Sequence, residues 1–226
     1  SLTITNLPII TASCPRCSQK ATIRLDIGIA SFKIVAIKHK MRVIQMDLLI
    51  GTSNTGKLGE LQELLGDVDV RLFSLKDVGL GDMDVEEHAT TLEENAELKV
   101  KAYSQASRLV TLADDSGLEV NALDGAPGLY SARYAPKAGA NDADRREYLL
   151  AELVRSGVPR PWLARFHCTA AVGKPAGEVF VVDGSCAGEI IPEERGGNGF
   201  GYDPIFYLTQ YERTMAEIPG EIKNRI

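Results

Sequence analysis

From residue 46 onward, short apolar runs alternate with longer segments in which apolar residues recur every three or four positions. The short runs have the length of buried strands, and the longer segments have the period of amphipathic helices. The pattern predicts strands at about 47–51, 69–73, 109–113, 118–123, 165–172 and 177–183, and helices at about 56–65, 91–108 and 142–155. Alternating strands and helices are typical of α/β proteins. We therefore expect an α/β fold with a mixed sheet.

The helix that follows Thr91 has the clearest start signal. In Thr91-Leu92-Glu93-Glu94, the threonine hydroxyl and the last carboxylate can bind free amides at the helix start, an arrangement called a capping box. Its core-facing residues are predicted to be Leu92, Ala96, Val100 and Tyr103.

The charge distribution separates residues 1–45 from the rest of the chain. Residues 1–45 contain seven Lys or Arg and one acid, whereas residues 46–226 contain 18 Lys or Arg and 30 acids. A body with a net charge of −12 repels a nucleic-acid backbone, although it can bind a small polyanion if a divalent cation screens the phosphates. The apolar stretch Ile27–Ile37 is too short to cross a bilayer and contains Lys33. We expect neither nucleic acid nor a membrane as a partner.

Residues 1–45 show no sustained helical or strand period, and the chain begins with Ser1. We expect an N-terminal extension here, which would be a tail, a targeting piece or translated non-coding sequence, and a catalytic domain over 46–226 that begins at about Met46. The pair Cys14 and Cys17 supplies two ligands, whereas a closed zinc site needs four. Four cysteines without a disulfide framework indicate a cytoplasmic protein, and Cys168 and Cys186 are interpreted as core residues.

The segment from Gly51 to Leu58 predicts an anion site. A strand, a loop of small residues and Lys57 at a helix start direct backbone amides and a positive charge at one place. The spacing matches the P-loop of phosphate-binding enzymes except at its last position, where Leu58 replaces the Ser or Thr that holds Mg²⁺. A P-loop enzyme and a plain turn remain alternative interpretations.

Two acidic pairs are candidate ligands for a divalent cation. Asp114-Asp115 follows an apolar strand, at the end where α/β sheets place their ligands, and two acids there are costly to bury without a cation. Carboxylates are also the ligands that Mg²⁺ prefers. Glu86-Glu87 alone is typical of a solvated loop, and the Asn95 and Lys99 pair, by spacing alone, of a helix surface.

Four glycines surround Phe200 and Tyr202 in the segment 196–204. Glycine allows a backbone to approach a ligand closely, and Phe200 could stack on a base. A flexible turn next to core aromatics is the alternative. None of His39, His88 and His167 has a nucleophile and a carboxylate at the spacing of a hydrolase triad.

Taken together, these segments resemble the inosine triphosphate pyrophosphatase family, which removes deaminated purine nucleotides. The resemblance rests on five motifs in the family's order: Thr52-Ser53-Asn54-Thr55-Gly56-Lys57, TLEENAELK at 91–99, ADDSGL at 113–118, GAPGLYSARYA at 125–135 and FGYDPIF at 200–206. They cover most of residues 46–226. The resemblance implies an elongated mixed β-sheet with flanking helices, a homodimer, and Mg²⁺-dependent cleavage of ITP, dITP and XTP to a monophosphate and diphosphate.

The resemblance also implies roles for individual residues. Asp115 would take the proton of the attacking water and, with Glu87, bind Mg²⁺. The loop Thr52, Ser53, Asn54, Thr55, Gly56 and Lys57 would hold the triphosphate, which Lys99 and Ser116 would also contact. Phe200, Gly201, Tyr202 and Asp203 would form the base and sugar pocket, and Lys223 would reach the nucleotide from the C-terminal side.

The chain departs from the family pattern at its end. The family continues into a Ser-His-Arg segment whose His-Arg pair grips the base, whereas this sequence ends with Lys223-Asn224-Arg225-Ile226. We expect the sequence to be C-terminally truncated, with weakened affinity and base selectivity that the natural C-terminal segment would restore. A nucleotide-binding module without catalysis is the alternative that such a truncation would favour.

Overall fold

The computed structural model describes residues 9–13, 20–28, 31–36, 45–224 and 226. The strands are β1 (Ile9–Ser13), β2 (Lys20–Gly28), β3 (Ser31–Ala36), β4 (Met46–Ile50), β5 (Val70–Ser74), β6 (Val110–Val120), β7 (Pro127–Gly128), β8 (Trp162–Gly173), β9 (Val179–Ile190), β10 (Phe206–Leu208) and β11 (Arg213–Thr214). The helices are α1 (Thr55–Leu64), α2 (Leu92–Ser107), α3 (Asp142–Ser156) and the single turn α4 (Gly220–Lys223). In this part of the chain, no helix has the length and apolar character needed to span a bilayer.

Strands β1, β2 and β3 form a small antiparallel sheet within residues 1–45. The prediction that this segment has no helical or strand period was wrong for β2. Its residues Ala21, Ile23, Leu25 and Ile27 alternate with polar residues, which is the period of a strand. The Cys14 and Cys17 pair lies outside the described residues, and the domain boundary at Met46 stays a prediction.

The main sheet has eight strands and mixed directions, as expected. Its strand order is β11-β10-β9-β8-β6-β4-β5, with β7 paired to β6. Strand β4 is parallel to both β5 and β6, whereas the strands from β6 to β11 pair antiparallel. The mixed sheet and flanking helices confirm the predicted fold class.

Helices α1 and α2 cover opposite faces of this sheet. Leu61 of α1 packs in one cluster with Leu48, Ile50 and Leu112. Ala96 and Val100 of α2 pack with Ala113 and Ala171 on the other face. Successive strand residues point to opposite faces, so one strand supplies both clusters. A third cluster joins α3 to strands β8, β9 and β10; its residues include Leu149, Leu153, Ile190 and Phe206.

Strand β6 is continuous, although we expected two strands with a break at Asp114–Gly117. Asp114 and Asp115 stay paired with Ala170 and Thr169 of β8, so the antiparallel ladder holds the backbone through the acidic pair. On its other edge, β6 pairs with β4 only as far as Leu112. Strand β4 ends at Ile50, which is paired with Leu112. The two acids therefore lie in the middle of one strand but just beyond the carboxyl end of its parallel neighbour.

The start of α2 also differs in detail from the expected capping box. The Thr91 hydroxyl accepts a hydrogen bond from the Glu94 amide at 3.1 Å, as predicted. The Glu94 carboxylate instead accepts from the amide and hydroxyl of Thr90, at 3.1 and 3.2 Å. The predicted core face is confirmed, because the following residues are buried: Leu92, Ala96, Val100 and Tyr103.

Candidate active site

A cavity of about 670 Å³ opens where β4 ends and β6 continues. Of the predicted site residues, these line it: Thr52, Ser53, Asn54, Thr55, Lys57, Glu87, Lys99, Asp115, Ser116, Phe200, Gly201, Tyr202, Asp203 and Lys223. Gly56 does not line the cavity but lies beneath the Phe200 ring, where an added Cβ would be 2.6 Å from a ring carbon. The structure thus brings segments separated by more than a hundred residues around one space.

The small-residue loop forms the N-terminus of α1 and contributes one wall of the cavity. Asn54 is the N-cap, and its side-chain oxygen accepts from the amides of Gly56 and Lys57 at 2.9 and 3.2 Å. The Thr52 hydroxyl accepts from the Asn54 amide at 3.2 Å. These bonds fix the loop, and the partial positive charge of the helix N-terminus faces the cavity.

Lys57 forms a buried ion pair with Asp114. Its Nζ lies 2.7 Å from Asp114 Oδ2, and both side chains are largely buried. Burial lowers the pKa of Lys57, but the Asp114 carboxylate outweighs burial and leaves the pKa raised. The other oxygen, Asp114 Oδ1, is buried and has no hydrogen-bond partner among the residues that the structure describes.

On the other face of β6, Asp115 is held by two residues of α2. Asn95 Nδ2 donates to Asp115 Oδ2 at 3.1 Å, and Lys99 Nζ donates to Asp115 Oδ1 at 3.0 Å. Lys99 Nζ also lies 2.7 Å from Glu87 Oε1. The interpretation of Asn95 and Lys99 as a surface pair was wrong, because both face the acidic pair. Glu87 and Asp115 converge on a single ammonium group, as a shared cation site requires.

The opposite wall is built by the glycine-rich segment and the C-terminal residues. Lys223 Nζ lies 2.6 Å from Asp203 Oδ2, 2.7 Å from Glu60 Oε1 and 5.2 Å from the centre of the half-buried Phe200 ring. Tyr202 is buried in the core, and its hydroxyl donates to the Ser131 carbonyl at 2.9 Å. Tyr202 therefore supports the pocket from behind.

Burial shifts the pKa values of the groups around Lys223. It raises the pKa of Asp203 and of Glu60, and in both cases the nearby Lys223 only partly opposes it. Burial lowers the pKa of Lys223, but Asp203 and Glu60 outweigh it and leave this pKa raised. The three groups form one coupled network that links α1 to the C-terminal turn.

Asp114, Glu60 and Cys168 also line the cavity. The sequence named Asp114 only as one of an acidic pair of candidate cation ligands, predicted Cys168 to be a core residue and gave no role to Glu60. The two-residue period of a strand, which places Asp114 and Asp115 on opposite faces, was a signal that Asp114 has a partner different from that of Asp115. Burial raises the pKa of the Cys168 thiol, which lies 3.9 Å from Asp114, and raises that of Cys186 to about 11. Neither thiol has the lowered pKa of a nucleophilic cysteine. Cys186 belongs to a core cluster, as expected, and both Cys186 and Cys168 border the cavity.

The donor set fits a hard divalent cation. Five carboxylates contact three lysines here, and even with Arg133, whose Nη1 is 3.8 Å from Glu87, one negative charge remains in excess. Carboxylate oxygens are the ligands that Mg²⁺ prefers. In the described ranges no three His, Cys, Asp or Glu side chains already converge on one point. A cation at Glu87 and Asp115 would occupy the position that the Lys99 ammonium now holds between them.

The comparison with known protein families decides the assignment. A model of the Ham1 family matches residues 48–226. The chain belongs to the Ham1 family. The match includes all the residues predicted for the site. This Ham1 protein is 40% identical over 181 residues to the dITP/XTP pyrophosphatase of Halalkalibacterium halodurans, covering 79% of this chain and 90% of that protein. It is 44% identical over 181 residues to the dITP/XTP pyrophosphatase of Listeria monocytogenes, covering 79% and 87%.

Solved structures of relatives have the same fold. A HAM1 protein from Coxiella burnetii superimposes with a TM-score of 0.72 at 38% identity, covering 80% of this chain and 91% of that one. The nucleoside-triphosphatase, or dITP/XTP pyrophosphatase, of Mycobacterium abscessus superimposes with a TM-score of 0.62 at 40% identity, covering 79% and 92%.

Proposed function

We propose that this Ham1 protein hydrolyses non-standard purine nucleoside triphosphates such as ITP, dITP and XTP to the nucleoside monophosphate and diphosphate, with Mg²⁺ as cofactor. The observation that carries the proposal is the convergence of Glu87 and Asp115 on Lys99, beside the N-terminus of α1. The dITP/XTP pyrophosphatases of Halalkalibacterium and Listeria support the substrate class.

The charge of the site supports a requirement for Mg²⁺. A triphosphate would enter a cavity in which carboxylates already outnumber the positive side chains, so it needs a cation to offset the repulsion. Glu87 and Asp115 would hold that ion. When bound, Mg²⁺ withdraws charge from the phosphates and lowers the pKa of a coordinated water.

The protein's own residues would bind the triphosphate and move the proton. The amides at the start of α1 and Lys57 would hold the phosphate tail, and Lys99 would turn from the carboxylates to the phosphate as the substrate enters. Asp115 would accept the proton of the water that attacks the α-phosphorus. Positive groups aimed at the departing diphosphate stabilise its growing charge, so the products are a monophosphate and diphosphate.

Selection of the base would take place at the opposite wall. Phe200 presents a half-buried ring next to Lys223, a suitable platform for a purine. A pocket whose donors face the 6-keto oxygen of hypoxanthine or xanthine rejects adenine, because its amino group leaves those donors unpaired. We further propose a cytoplasmic homodimer, which follows from the cysteine usage and the family resemblance.

The direct test is incubation of the protein with ITP and Mg²⁺, followed by phosphorus NMR of the products. Inosine monophosphate with diphosphate is the expected result, and chelation of the metal should stop the reaction. Inosine diphosphate with phosphate would instead identify a P-loop type phosphotransferase or phosphatase. Binding of ITP without turnover would identify a nucleotide-binding module.

A further inference from the structure

Both backbone groups of Gly201 are bound by side chains from the start of α3. Asp142 Oδ2 accepts from the Gly201 amide at 2.8 Å, and Arg146 Nη1 donates to the Gly201 carbonyl at 2.8 Å. Gly201 belongs to the cavity wall, whereas Asp142 and Arg146 lie 59 and 55 residues earlier in the chain. This contact joins the pocket to a rigid helix.

The two α3 side chains are themselves held in place. Arg146 makes a bidentate pair with Glu194, at 2.8 and 2.9 Å, and its side chain is only 12% exposed. Asp142 pairs with Arg145, whose Nη1 donates to the carbonyls of Ala140 and Ala132 at 2.7 and 3.1 Å. A planar guanidinium with several fixed bonds loses little further entropy when it orients another group.

The Asp142 side chain is ionised at neutral pH. Burial raises the pKa of Asp142, but the Gly201 amide and Arg145 outweigh burial and hold this pKa below its ordinary value. Both bonds to Gly201 therefore involve a charged group, which makes them stronger than bonds between neutral groups.

The backbone of Gly201 needs this support because of its conformation. Its φ angle is +61°, in the left-handed region that favours glycine, so the chain is free to adopt other conformations at this position. Phe200 precedes it and covers Gly56, and Tyr202 follows it and is anchored to Ser131. A rotation at Gly201 would move the Phe200 ring relative to the α1 loop.

We propose that Asp142 and Arg146 are positioning residues that determine base selectivity by fixing Gly201 and, through it, the Phe200 ring. The inference rests on the proposed function, in which this wall receives the purine. A fixed pocket discriminates better than one that adapts to each base, because a mobile wall can rearrange to pair with the wrong exocyclic group.

The expected signature is a change in selectivity with little change in turnover. Asp115 lies in β6, and neither Asp142 nor Arg146 contacts it. Arg146→Met should raise KM for ITP about tenfold, the scale of one charge-assisted hydrogen bond, and leave kcat within about twofold. The ratio of kcat/KM for ITP to that for ATP should fall by about tenfold for the same reason.

Two further α3 variants separate positioning from folding. Asp142→Ala should lower the ITP to ATP ratio, whereas Asp142→Asn keeps an oxygen that can accept from the Gly201 amide and should restore most of the ratio. Arg155→Met is the matched control, because Arg155 is 63% exposed on the same helix and, among the described residues, forms an ion pair only with Glu152. Thermal unfolding of each variant gives its folded fraction. If Arg146→Met does not fold, Arg146→Lys, which lacks the bidentate fork, is measured in its place and should show a smaller fall.

The outcomes distinguish this inference from the proposed function. A wild-type protein that does not hydrolyse ITP overturns both. The positioning role alone is overturned if the wild-type protein hydrolyses ITP and the folded variants Arg146→Met and Asp142→Ala keep its ITP to ATP ratio of kcat/KM. An equal loss for ITP and ATP would also overturn it, because general destabilisation lowers both activities together.

Discussion

Asp114 and Asp115 are consecutive in β6, yet their carboxylates leave opposite faces of the sheet and contact lysines from different helices. Asp114 pairs with Lys57 of α1, and Asp115 pairs with Lys99 of α2. The alternation of a strand places neighbouring side chains on opposite faces, and α1 and α2 cover those two faces. Because β4 ends before the acidic pair, both ion pairs open onto one cavity.

Removal of Lys57 should destabilise the protein through Asp114. Lys57→Met leaves the Asp114 carboxylate buried with neither oxygen paired to a cation, and loss of one partner of a buried pair costs about 3 kcal/mol. Adding Asp114→Asn should recover most of that loss, since the neutral amide needs no cation. A double-mutant cycle of urea unfolding measures the coupling.

The matched comparison for this cycle is the exposed pair Arg71 and Asp47, at 2.6 Å. Its removal should cost much less than removal of the buried pair, because solvent screens exposed ion pairs. Equal coupling energies for the two pairs would contradict the role given to burial at Lys57.

Asp115→Asn should remove turnover without unfolding the protein. The amide keeps the size of the carboxylate but accepts no proton and binds Mg²⁺ poorly, so kcat for ITP should fall by more than about a hundredfold. Asp183→Asn, on the neighbouring region of β9 and 56% exposed, is the control and should retain activity. Circular dichroism and the unfolding midpoint verify the fold. An Asp115→Asn protein with wild-type kcat would exclude this residue as the proton acceptor.

Two glycines of α1 offer a comparison within one helix. At Gly56 an added Cβ would be 2.6 Å from the Phe200 ring, whereas at Gly59 it would meet no described atom within 4 Å. Gly59→Ala should stabilise the protein by about 0.8 kcal/mol through helix propensity and leave KM unchanged. Gly56→Ala should displace the Phe200 ring and raise KM for ITP several-fold. Equal KM values for the two variants would show that the ring position does not affect binding.

Local patterns predicted the elements well, because they depend on neighbours in sequence. The period of the apolar residues located α2 and its buried face, and the Thr91 signal located its start. The five motifs located most of the predicted wall residues of the cavity, and the family resemblance added Glu87 and Lys223; Gly56, beneath Phe200, is the predicted residue that does not line it. The continuity of β6 was missed, since an acidic pair and a glycine resemble a turn until the pairing with β8 is known.

Contacts between distant segments had no signal that a single sequence could show. Arg146 and Gly201 are 55 residues apart, and nothing near either residue indicates the other. The interpretation of Asn95 and Lys99 as a surface pair was wrong for the same reason. A spacing of four places them on one side of a helix but does not show what that side faces. Spacing fixes a face, and the tertiary fold decides whether that face is buried.

The network around Lys223 predicts how stability should depend on pH. Lys223→Met removes the cation that opposes burial at Asp203 and Glu60, and at neutral pH it should cost about 3 kcal/mol. The pKa values of both carboxyl groups are already raised in the folded protein and should rise further in the variant. The carboxyl groups of the folded variant then bind protons at a higher pH than those of the unfolded chain. The free energy of unfolding of the variant therefore increases as the pH falls from the raised folded-state pKa values to the ordinary carboxyl pKa values. Below those ordinary values both groups are protonated in both states, and the penalty disappears.

Urea unfolding at a series of pH values should therefore show that the difference in free energy of unfolding between wild type and Lys223→Met narrows toward acid. Lys76→Met, a change at an exposed residue, is the control. A gap that stays constant with pH would contradict the assignment, because loss of apolar packing alone does not depend on protonation.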